Sequence, residues 1–102
     1  MGSLSVVEVL EAARARVAKG WTQKVFARDS DGNEAKADGP NACRWCAEGA
    51  ISFGPGALNA LILLECAIGG PGVVRWNDTP GRTQAEVISA FDRAIILAKA
   101  VQ

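Results

Sequence analysis

Apolar positions recur along this chain with a helical period at both ends. Val6, Leu10, Ala13 and Val17 are separated by steps of four, three and four, which places them on one stripe of a helix. Arg14, Arg16 and Lys19 fall mostly off that stripe, and basic charge late in a helix suits its dipole. Ser5-Val6-Val7-Glu8 has the form of a capping box, and Gly20 supplies a stop. The pattern therefore predicts a first helix closed at both ends. Near the C-terminus, Thr83 and Glu86 repeat the capping-box spacing. They open a last helix running to about Ala100, with Val87, Phe91, Ala94, Ile95 and Ala98 inward.

Between these helices the period changes. Val25 and Phe26 have strand propensity, and Asp29-Ser30-Asp31-Gly32-Asn33 is dense turn chemistry. These residues predict a hairpin of 22–28 with 33–37, its second strand weak and at an edge. Asp38-Gly39-Pro40-Asn41 closes the region, with Asn41 as N-cap of a second helix from Ala42 to Phe53. Cys43, Cys46, Ala47, Ala50 and Ile51 would form its apolar face, and Gly49 marks a close approach. Gly54-Pro55-Gly56 breaks the chain. Ala57 to Ile68 is apolar almost all round, which predicts a central third helix. After Gly69-Gly70-Pro71-Gly72, Val73-Val74-Arg75-Trp76 reads as a short strand or extended strut. The fold expected is α+β and mainly α: a single domain over residues 1–102, four helices with a short β-hairpin between helices 1 and 2.

Composition narrows the function classes. With 102 residues, 49% of them apolar and 22% charged, the chain has the balance of one globular domain. Eleven basic residues oppose eleven acidic ones, so no global field favours nucleic acid or an anionic membrane. The segment Ala57–Ile68 is about half a membrane span and carries Asn59 and Glu65. If buried, those two need partners, and Arg44, Arg75 and Arg82 are the available cations. Residues 3–19 do not read as a signal peptide, and three cysteines fit reduced thiols better than a disulfide framework. A cytoplasmic location is the expectation. Histidine is absent, which removes the usual general base, the usual partner of a Ser or Cys nucleophile, and the commonest zinc ligand. That weighs against most hydrolase mechanisms.

Arg44-Trp45-Cys46-Ala47-Glu48-Gly49-Ala50, followed by Trp76-Asn77-Asp78 and then Gly81-Arg82-Thr83 leading into Glu86-Val87, resembles a family of small bacterial and phage-borne proteins catalogued as a domain of unknown function. The similarity takes in the opening helix, Gly20-Trp21-Thr22-Gln23 and Phe91-Asp92-Arg93-Ala94, and so covers nearly the full length. The resemblance implies a compact cytoplasmic single domain and supplies no activity to transfer. Phage membership suggests an accessory role against or alongside host systems.

Two constellations carry chemistry. Cys43-Arg44-Trp45-Cys46 has C-x-x-C spacing, which a redox pair would use with one thiol near a helix N-terminus. Its plain reading is two small buried residues on one helix face; a zinc site would need two further ligands, for which only Cys66 and a carboxylate are on offer. The second runs from Trp76-Asn77-Asp78 to Arg82-Thr83, joining an aromatic face, an amide, a carboxylate and a guanidinium to a helix start. Such a set can seat an anion or stack a ring. The same residues also serve as turn formers and an N-cap, with Asp78 and Arg82 as an ion pair pinning the loop. The function expected is a non-enzymatic binding or adaptor protein without metal or cofactor. Its contact surface would combine Trp45, Trp76, Asn77, Asp78, Arg82 and Thr83, taking a small anionic or nucleotide-like ligand or a protein partner. The alternatives are a small enzyme using Cys46 or Asp78, and a homodimer with a structural or regulatory role.

Overall fold

The computed structural model describes residues 5–52 and 54–101. In chain order its elements are α1 (Val6–Lys19), β1 (Ala27–Arg28), β2 (Arg44–Trp45), α2 (Ala47–Ile51), α3 (Ala57–Ile68), α4 (Val73–Asn77) and α5 (Gln84–Ala100). The class is mainly α with minor β, and the described residues form five helices rather than four.

Both capping boxes form. The Ser5 hydroxyl accepts from the Glu8 amide while the Glu8 carboxylate accepts from the Ser5 amide, and Thr83 and Glu86 do the same at α5. The two helices they open make the centre of the protein. Leu10, Ala13 and Val17 of α1 are fully buried with Val87, Ala90, Phe91 and Ala94 of α5. The pair runs antiparallel, since Arg14 meets Asp92 while Gln84 Nε2 donates to the Val17 carbonyl. Three alanines at the contact keep the backbones close.

The middle of the chain departs from the sequence pattern in four places. First, the sheet pairs β1 with β2, in the antiparallel register Ala27 with Trp45 and Arg28 with Arg44. The expected partner segment 33–37 contributes only a bridge from Glu34 to Arg28. Residues 43–46 win because they bond on both sides. The Trp45 amide donates to the Gly20 carbonyl and its carbonyl accepts from the Thr22 amide, the Cys43 and Cys46 amides donate to the Arg28 and Phe26 carbonyls, and the Trp45 ring is buried. An Ala/Lys strand has no comparable side chain to bury.

Second, residues 42–45 are therefore not helical, and α2 begins only at Ala47. Ile51 is its last residue, with Ser52 as C-cap; the Phe53 end expected for this helix lies outside the described residues. Third, α3 is peripheral. Only Ala60 and Leu64 are buried, whereas Leu58 is 70% and Ile62 46% exposed. Asn59 is exposed and Glu65 half-buried, so neither requires a buried cation. Fourth, Val73–Asn77 is a helix, because that curvature turns Val73 and Asn77, four residues apart, into the interior together. The β-branched propensity of Val73-Val74 loses to this burial.

No helix among the described residues is long and apolar enough to cross a membrane.

Candidate functional site

The interior end of α4 is built around one amide. Asn77 is fully buried and all four of its hydrogen-bonding positions are used. Its Oδ1 accepts from the Trp21 indole at 2.8 Å and from the Ala47 amide at 3.0 Å. Its Nδ2 donates to the Thr22 carbonyl at 3.1 Å and to Asp78 Oδ1 at 3.0 Å. Gln23 reinforces the junction from outside, Nε2 donating to the carbonyls of Asn77 and Thr79. Three separate stretches of sequence, 20–24, 46–50 and 76–79, thus converge on a single side chain.

Asp78 carries this framework to the surface. Its Oδ1 also accepts from the Lys24 amide at 2.9 Å. Lys24 has φ 80°, a left-handed conformation that costs a non-glycine residue about 1 kcal/mol or more. Replacing Lys24 by glycine is accordingly expected to raise stability by about 1 kcal/mol in urea denaturation. A loss of stability would show that the backbone there is not strained.

Beside Lys24 opens a cleft of about 300 Å³, lined by Lys24, Val25, Phe26, Glu34, Cys46, Val74 and Asp78. Phe26 and Val74 are 41% and 40% exposed and form its apolar wall. The floor includes Cys46, which is 2% exposed and caps α2, its Sγ accepting from the Gly49 amide at 3.2 Å. Burial pushes the Cys46 thiol above its ordinary pKa; the amides of Gly49 and Glu48 oppose this and the carboxylates of Asp78 and Glu48 add to it. The thiol is therefore protonated at neutral pH, which is the wrong state for a nucleophile. Cys43 lies before β2 and Cys46 after it, so the C-x-x-C spacing crosses a strand instead of following one helix face. All three cysteines are free, and Cys66 is exposed. A maleimide should modify Cys66 first and Cys46 at least about 100-fold more slowly, read by peptide mass spectrometry. Fast labelling of Cys46 in the folded protein would restore the enzymatic reading.

The other residues expected at the site divide between roles. Trp45 is buried, its indole donating to the Ala37 carbonyl at 2.9 Å. Thr83 is occupied as N-cap of α5. Arg82 does not pair with Asp78: its guanidinium lies 4.1 Å from the Trp76 ring centroid, donates to the Trp76 carbonyl and reaches Glu86 at 3.5 Å. Trp76 and Arg82 thus stand together over a shallow hollow shared with Ala85, Glu86, Ser89 and Arg93, while Asp78 alone lines the cleft at Lys24. At the start of α5 the Glu86 carboxylate already accepts from the Thr83 amide, which disfavours an added anion there. Among the described residues no His, Cys, Asp and Glu side chains gather into a metal-binding group.

Sequence reasoning missed Lys24 and the Cys46 cap. Trp21, Thr22 and Gln23 enter the sequence pattern only through the family resemblance and the start of the expected hairpin; nothing local marks them as partners of Asn77.

A family model described as a family of unknown function (DUF6197) matches residues 1–97, and the chain belongs to that family. Comparison with curated proteins and with solved structures found no match.

Proposed function

We propose that this protein is a small non-enzymatic binding protein whose ligand seat is the cleft between residues 24–26 and α4, next to the Trp76–Thr83 loop. One observation carries this reading. The buried Asn77–Asp78 framework terminates in a hydrogen bond that holds Lys24 in a left-handed conformation at the rim of a part-apolar cavity. Unfavourable backbone geometry fixed by a dedicated side-chain network concentrates at binding sites, where it preorganises the surface a ligand meets. The protonated Cys46 and the lack of histidine favour binding over catalysis at this position.

Amide chemical shifts recorded against a library of small fragments test the seat while the natural ligand is unidentified. The hits are expected to perturb Val25, Phe26, Val74 and Asp78 together. Perturbations confined to other surfaces, or none from any fragment, would overturn the assignment.

A further inference from the structure

Resting on that reading of the cleft, we infer that its ligand carries an alkylammonium head on an apolar stem. The cleft has two carboxylates on its lining, Asp78 and Glu34, against one ammonium, that of Lys24. The ion pairs among the described residues are Arg14–Asp92 and Arg82–Glu86, so neither lining carboxylate is held in an ion pair. Asp78 is half committed. Both hydrogen bonds it accepts, from the Lys24 amide and from Asn77 Nδ2, end on Oδ1. Oδ2 has no protein donor among the described residues, and Asp78 is only partly exposed. The framework thus orients a carboxylate at the cavity and leaves one oxygen to accept from a ligand.

The apolar part of the lining specifies the rest of the molecule. Phe26 and Val74 present exposed apolar surface on the cleft with Val25 beside them. A phenyl face also attracts a cation, so the aromatic wall and the carboxylates select the same head group. Lys24 does not reverse the sign: the contact it makes with Asp78 is through its backbone amide, and its side chain is exposed. A ligand whose head is an anion would face two carboxylates in a cleft of about 300 Å³, where like charge costs affinity. A volume of that size holds a chain of a few carbons with its head, which suits a free primary amine or the side chain of a lysine.

Titration of the full chain with pentylammonium, pentanol and pentanoate, followed by the cleft amide shifts, distinguishes the possibilities. Pentylammonium is expected to bind at least about tenfold more tightly than the alcohol, as a charge-assisted hydrogen bond supplies, and pentanoate more weakly than either. Asp78→Asn keeps an Oδ1 acceptor for Lys24 and Asn77 but removes the charge, and should bring the ammonium and the alcohol to within about threefold of each other. An unchanged amide spectrum away from residue 78 confirms that this variant is folded. A lysine derivative blocked at both backbone ends is the second arm: tighter binding than pentylammonium assigns the head to a peptide, weaker binding to a free amine. If all three pentyl compounds shift the cleft equally, or pentanoate binds best, the seat stands and the charge inference falls. If none shifts it and fragments do not either, both fall.

Discussion

Asn77→Ala is expected to destabilise the protein by roughly 3–5 kcal/mol, enough to lower the melting temperature by about 15 °C or more. The size follows from what is left behind. Truncation removes the partner of the Trp21 indole, the Ala47 amide and the Thr22 carbonyl at once. Each interior polar group without a partner costs about 1–3 kcal/mol, and these lie around a site that is 0% exposed. Asp78→Asn, one residue along, is expected to cost under about 1 kcal/mol, because it preserves the acceptor that Lys24 and Asn77 use. Urea denaturation of the two variants side by side measures the contrast. A loss below about 1.5 kcal/mol for Asn77→Ala would mean that water or a rearranged Gln23 replaces the amide, and that the framework is not what fixes the cleft.

That contrast also marks where the sequence is legible. Helices α1 and α5 can be read because their determinants are local: a stripe at helical spacing, and a capping box three residues long. Asn77 reads as a turn former because it precedes Asp78-Thr79-Pro80-Gly81, and its partner Trp21 lies 56 residues away in the chain. The same non-locality hides β2. Arg44-Trp45 extends because Gly20, Thr22 and Phe26 offer backbone partners on both sides, and no pattern within 42–46 announces them. Helix α3 departs from expectation for a different reason. Apolar content suggests depth, yet α1 and α5 already fill the centre between them, so α3 buries Ala60 and Leu64 and leaves Leu58 and Ile62 in solvent. At the candidate site, the residue types at 76–83 are visible in the sequence but their directions are not. Whether Arg82 reaches Asp78 or Glu86 depends on the turn of α4, which the β-branched pair Val73-Val74 disguises.

Gly49 is legible as a close approach, and it sets the second large effect. Gly49→Ala is expected to cost at least about 3 kcal/mol, or to prevent folding, although alanine is the better helix former by about 1 kcal/mol. A Cβ at residue 49 would collide with the Phe26 carbonyl oxygen and stand 3.0 Å from the Phe26 Cα. The obstacle is backbone, so no rotamer change relieves it. That carbonyl also accepts from the Cys46 amide at 3.0 Å, so moving it away would break the junction between the start of α2 and the segment before β1 that carries Phe26. Gly70→Ala is the matched control. A Cβ there meets nothing within 4 Å, and the change should leave stability within about 1 kcal/mol of the parent. Equal small effects from both substitutions would show that α2 can back off from Phe26 freely. A large loss at residue 49 alone would instead establish that Phe26 is held by direct backbone contact, and with it the shape of the cavity that Phe26, Val74 and Asp78 enclose.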